Sequence, residues 1–286
     1  SLIKARPDQR IGVTFGKKFK IDKLLIGSTS SIGYSNSMDF NPIVSNSFNS
    51  YNVIDDEPVY KFKYNHNQYT NGVKVNVLSN WSFNINKNNV IEIRNLFNQN
   101  AFTRTVLRSG YDGYSQNSIR SYEYRFMSRT TYSGQIGGKH ALNEGMTKID
   151  WNLGYSIANR QEPDRKVLQT TLNEATGNYQ LALPFAANPK QAGRLYLDNK
   201  EHILSNGFNL ENKINIFHLP PTIKVGYYAE YRSRKFNARN IGYIKGANYN
   251  PTNNELALPF DQIFVDNNFD YTNGITIGER TNKSDS

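Results

Sequence analysis

The stretch KIDWNLGYSIAN, Lys148 to Asn159, decides how this chain folds. Ile149, Trp151, Leu153, Tyr155 and Ile157 occupy one set of alternate positions, and Lys148, Asp150, Asn152, Gly154 and Ser156 occupy the other. A helix would scatter those charges around its circumference, whereas a strand sends alternate side chains to opposite faces. One face then suits an apolar medium and the other suits water. Thr222 to Arg234 repeats the pattern, with Ile223, Val225, Tyr227, Ala229 and Tyr231 opposite Lys224, Gly226, Tyr228, Glu230, Arg232 and Arg234.

Working outward, the same alternation predicts eight long strands, over residues 9–18, 24–38, 68–84, 89–105, 117–137, 147–160, 200–216 and 222–238. Their connections are expected to alternate in length. Phe19 to Lys23, Ile85 to Asn88, Gly138 to Met146 and Phe217 to Pro221 read as hairpin turns, the last marked by Pro220 and Pro221. Asp39 to Asn67, Val106 to Gln116, Gln161 to Asn199 and Arg239 to Ser286 read as long loops rich in Asn, Asp, Gly and Pro. Short turns at one end and long loops at the other are the habit of outer-membrane barrels, periplasmic and extracellular respectively. That phase places both chain ends on the extracellular side, with Ser286 ending in a loop. It also makes the chain an internal piece of a longer barrel, an antiparallel wall with open edges.

Composition fits this class. Only 37% of the 286 residues are hydrophobic, yet there are 19 Tyr and 16 Phe, residues that favour strands and the aromatic girdles of barrels. No apolar run reaches the ~20 residues of a membrane-crossing helix, but a barrel strand needs only about 9 to 11 residues, half of them apolar. Ser1 to Arg10 has no apolar core, so no signal peptide opens the sequence. The absence of cysteine excludes a disulfide framework, a thiolate metal site and a cysteine nucleophile. The net charge of +10 is spread through the strands, which argues for a charged lumen or contact with lipopolysaccharide and against nucleic acid.

Candidate functional residues are the charges on the water-facing side: Glu92, Arg94, Glu123, Arg125, Arg129, Lys148, Asp150, Glu230, Arg232 and Arg234. Mixed signs on successive strands can pair across a sheet. They read either as plain lumen solvation or as a surface on which a plug docks. Nothing points to catalysis, a cofactor or a metal. His66, His140, His202 and His218 lack metal spacing, and no nucleophile elbow or phosphate loop occurs. Asp266, Asn268 and Asp270 imitate a calcium loop, but Tyr271 and Ile277 replace its Gly and Glu. Asp55, Asp56 and Glu57 read as a solvated loop tip, and Asn80-Trp81-Ser82 as a sequon made irrelevant by its strand. LALPF occurs twice, at Leu181 to Phe185 and Leu256 to Phe260, either as a local turn or as an apolar contact for a substrate or a surface lipoprotein.

RNLFNQ at Arg94 to Gln99, IRSYEYRFMSRTTYSGQIGGKH at Ile119 to His140 and DWNLGYSIANRQEPDRK at Asp150 to Lys166 resemble the barrel region of TonB-dependent outer-membrane receptors of the Bacteroidetes type. The resemblance covers most of the chain. It implies a barrel of 22 strands around an N-terminal plug, coupling through that plug to the TonB complex, and import of a small nutrient without ATP. The plug and its TonB-contacting segment are absent from this sequence, and the resemblance supplies no substrate-contacting residue. A passive porin or barrel-assembly protein would share the wall. A rim hydrolase would need a constellation that only His66 is placed to join. A soluble β-sheet adhesin would pack its apolar face on a second sheet.

Overall fold

The computed structural model describes residues 4–214 and 221–285. They form one antiparallel sheet. The strands are β1 Gln9–Ile21, β2 Leu24–Asn52, β3 Glu57–Asn86, β4 Asn89–Asp112, β5 Asn117–Leu142, β6 Thr147–Asn173, β7 Asn178–Leu181, β8 Ala192–Lys213, β9 Thr222–Lys245 and β10 Ile275–Asp285. Each long strand pairs with its sequence neighbours, and the short β7 pairs with β6 where β8 leaves off. Among the described residues β1 and β10 each have one partner, so the sheet is open.

All eight expected strands are present, and most are far longer than the alternation predicts. The loop expected over Asp39 to Asn67 is mostly ladder, in which Asn41 pairs with Gln68 and even Pro42 lies opposite Asn67. Only the turn Val53 to Asp56 is left, with Asp56 at φ 52°. Val106 to Gln116 likewise shrinks to Gly113 to Gln116. Gln161 to Asn199 becomes the end of β6, a turn closed by the Asn173 side chain on the Ala175 and Thr176 amides, β7, an irregular run over 182–191, and the start of β8. The final segment is no loop at its end: Ile275–Asp285 is a strand, with Ile275 opposite Lys245 and Asp285 opposite Lys235. It is preceded by two single-turn helices, α1 Asn253–Leu256 and α2 Phe260–Ile263, which the strand periodicity does not predict. Thr252 and Glu255 form a reciprocal capping box on α1. At the opposite end the turns are tight: Asp22-Lys23 and Lys87-Asn88 each join strands in two residues, Asp22 taking the positive φ such a turn needs. Phe217, His218 and Pro220, expected at the last of these turns, lie outside the described residues.

The cross-strand register gives the sheet two chemically distinct faces. One carries Ile11, Val13, Phe15, Ile32, Val77, Trp81, Ile93, Ile136, Leu153, Leu204, Val225, Tyr227 and Tyr231. These side chains are bare of protein: Phe15 is 59%, Leu204 54%, Val225 64% and Tyr231 67% exposed. Polar groups on this face bond one another. Ser30 meets Ser79, Trp81 donates to Ser79, and the Tyr132 hydroxyl reaches over Gly134 to Asn95 at 2.9 Å.

Among the described residues the compact core lies on this same face above the bare band, at the long-hairpin end. Leu181, Leu183, Ala192, Ile263 and Ile275 are its buried members, with Leu168, Tyr243, Leu256, Phe260, Phe264 and Phe269 packed around them. Both LALPF copies therefore pack into one cluster, each supplying half of a joint, while Phe185 and Leu258 stay exposed.

Candidate functional site

The polar face holds the candidate site, and it is assembled by register alone. In β4, Glu92, Arg94, Arg104 and Arg108 point the same way; their partners Gly137, Gln135 and Arg125 carry that face into β5 with Glu123 and Arg129. Gly137 opposes Asn152 and Arg129 opposes Arg160, which extends the face to Lys148 and Asp150 in β6. Lys148 faces Glu211, and Glu211 faces Lys224, bringing in Glu230, Arg232 and Arg234 of β9. The ten residues singled out in the sequence thus share one face. They do not converge on one point. Arg94 bonds Glu92 at 2.7 Å, and Arg232 bonds Glu230 at 2.6 Å, each within its own strand.

The middle of that face is unusual. Arg104 lies directly opposite Arg125, and Arg129 directly opposite Arg160. Like charges facing each other across strands repel. One carboxylate lies among them: Glu162, only 1% exposed, accepts from Arg125 at 2.7 Å and from Arg160. Burial pushes its carboxyl pKa up, but the hydrogen bonds and charges of the two guanidiniums outweigh that and hold it below the usual value. Arg104 leans on Thr70 at 3.3 Å and on the Phe102 ring, which Arg125 also approaches. Nε of Arg125 and of Arg160 is buried without a partner.

A bulge follows immediately, because β6 spends one more residue than β5 or β8 between Gln161 and Lys166. Asp164 takes φ 66° there and receives Arg194 through both oxygens, at 2.5 and 2.6 Å, with Lys166 at 3.3 Å. The Arg194 hydrogen bond, opposed by burial and aided by Lys166, holds Asp164 below the ordinary carboxylate range. Arg165 bonds Glu123 at 3.0 Å. Glu162, Asp164, Arg165 and Arg194 are missed by sequence reasoning. The signal for the first three is the run EPDRK, Glu162 to Lys166, in which a proline and mixed charges interrupt a strand; Arg194 has no such signal.

Beyond the bulge the polar face opens into a cleft of about 500 Å³. Phe62 and Tyr64, stacked at 4.8 Å, form one wall with His66 and Arg108; Glu123, Arg165 and Gln169 form another, and Asn188 to Gln191 a third. The third wall is seated by glycine. A Cβ on Gly242 would come within 2.5 Å of the Ala187 backbone, so only a bare backbone lets that segment lie on the sheet. Arg108 donates to His66 Nδ1 at 3.3 Å and stands over the Tyr64 ring at 5.1 Å. Burial, then the Arg108 charge, lowers the His66 pKa and keeps the ring neutral, with its proton on Nε2. Asp112 also lines the cleft, accepting from the Tyr114 amide and the Ser115 hydroxyl, and after burial its charge helps push the Tyr64 phenol up to about 12.

Among the described residues the other two histidines bond aromatic side chains: His140 accepts from Trp151 at 3.0 Å, and His202 bonds Tyr155 at 2.9 Å. Asp270 caps a turn on the Thr272 and Asn273 amides. Asp55 and Asp56 bond Asn52 and Tyr51 at the tip of the first long hairpin. Among the described residues no group of three acidic or histidine side chains gathers for a metal. No protein family, curated protein or solved structure matches this chain.

Proposed function

We propose that this sheet is part of the wall of an outer-membrane β-barrel of about 22 strands, belonging to an active importer driven through a plug by the TonB complex. One observation carries the membrane reading: a bare apolar face backs a polar, largely ionic face across the eight long strands β1 to β6, β8 and β9. A water-soluble sheet would cover that apolar surface with a second layer. Among the described residues the only cover is the loop cluster at the long-hairpin end. The importer reading rests on the three receptor-like stretches. In it the cleft and the long hairpins form the outer vestibule for a small nutrient, and lipopolysaccharide and a surface lipoprotein are neighbours.

The two tryptophans make the test simple, because Trp81 and Trp151 both lie on the apolar face. With the chain refolded into bilayers, brominated acyl chains should quench both, and aqueous iodide should quench neither. Iodide quenching with no bromine effect would refute the wall. For transport, uptake by cells carrying the full gene should stop when the proton gradient is collapsed; uptake that persists would make the barrel a passive pore.

A further inference from the structure

We infer that the middle of the polar face carries a binding site for a tetrahedral oxyanion, a phosphate or sulfate group, between Arg129 and Arg160. The inference rests on the reading of that face as the side of an aqueous conduit and names a group that the conduit takes. Register sets Lys74, Asn100, Arg129, Arg160 and Asn199 side by side on β3, β4, β5, β6 and β8, a row with no carboxylate in it. Neighbouring strands lie about 4.8 Å apart, so the two guanidiniums at the centre of the row reach one small ion without any change of backbone. Empty, they repel across the strands, and plain solvation of the face would be served as well by serine or asparagine. Arg129 is exposed, and among the described residues no carboxylate pairs with it.

The nearest carboxylates are already engaged. Glu162, two residues along β6 from Arg160, accepts from Arg125 at 2.7 Å and from Arg160. Glu201, two residues along β8 from Asn199, takes Arg232 at 3.6 Å and lies opposite Arg234. On either side of Lys74, Asn100 and Arg129 the same face continues in Asn76, Asn98 and Thr131 and in Gly72, Phe102 and Met127, none of them acidic. Arg234 donates to the Asn199 amide oxygen at 2.7 Å, which leaves the Asn199 NH2 to donate beside Arg160. Asn100 offers a second amide beside Arg129. One guanidinium fork uses both oxygens of a carboxylate, so two forks from neighbouring strands call for an ion with more acceptors. Three oxygens of a tetrahedral dianion can be shared between the forks and the amides, with the fourth corner toward the lumen and open to an ester link. Every group in the row is a donor, so phosphate and sulfate are alike to it.

Equilibrium dialysis of the full chain in detergent micelles, at constant ionic strength and about pH 8, would take inorganic phosphate as the probe, with sulfate, glycerol 3-phosphate and acetate for comparison. Phosphate and sulfate should bind alike, and acetate at least about tenfold more weakly. Glycerol 3-phosphate binding as well as phosphate would make the site an anchor for a larger solute; phosphate binding without the ester would make the free ion its ligand. Arg129→Gln should weaken phosphate binding about tenfold, one charge-assisted contact, while leaving the unliganded chain as stable or more so, because it relieves a like-charge pair. Arg129→Lys, which keeps the charge and loses the fork, should weaken it less, and Lys20→Gln, at the far end of the same face, should not weaken it. Absence of phosphate binding, acetate binding as tight as phosphate, or equal losses in Arg129→Gln and Lys20→Gln would overturn the site. The outcome is separable from the wall reading: lipid-quenched tryptophans without phosphate binding sink the site alone, and binding without lipid quenching sinks the wall alone.

Discussion

Glu162 holds apart two arginines that would otherwise repel across β5 and β6, and it does so almost fully enclosed. Removing it leaves two guanidiniums unmatched, so Glu162→Gln should destabilise the chain by about 3 kcal/mol in denaturant titrations at pH 7. The sign with pH follows from its depressed pKa. A carboxyl whose folded pKa lies below its unfolded value, near 4.3 for Glu, contributes fully above that value and loses the contribution as pH falls through the folded one. Asp164 acts in the same direction from about 3.9 downward. Stability should therefore be level from pH 7 to about 5 and fall below about 4, and Glu162→Gln should fall less. An unchanged pH profile in that variant would show that Glu162 is not the group being titrated.

At the scale of elements, alternation located every long strand but not its length. The reason is physical: a strand alternates only where its two faces meet different media. Between Asn41 and Asn52 both faces of β2 meet water, so Asn, Ser and Pro are tolerated on either side while the backbone ladder runs on. Such a stretch looks like a loop to any reading based on hydrophobic period. The site shows the same division. Parity alone put ten charged residues on one face, because parity is local. The convergence of Glu162 on Arg125, or of Ala187 on Gly242, depends on a bulge and a returning segment that no period encodes. The paired LALPF segments were visible as a repeat, but their joint burial was not. Leu181→Ala should cost about 3 kcal/mol and, by opening that cluster, speed proteolysis between residues 246 and 274. Cleavage at the wild-type rate would mean that the helical turns hold without the cluster.

For the molecule as a whole, the two faces should tolerate charge unequally. Leu153→Arg, at the middle of the bare apolar band, should destabilise the chain in a bilayer by about 3 kcal/mol. Gln135→Arg, on the ionic face of the adjoining strand, should change it by less than about 1 kcal/mol. Folding titrations into the same lipid would compare them, and equal penalties would contradict a lipid boundary on one side only.

Among the described residues every long strand bonds only to the long strands before and after it, with the short β7 the single interruption, so no partner lies far along the chain. A hairpin can be duplicated or excised in one piece, and the flanking strands meet again with their inside and outside preserved. In the barrel proposed above, girth would be set by a count of hairpins, so a gene could widen or narrow it by copying or deleting a short stretch of DNA without redesigning its core.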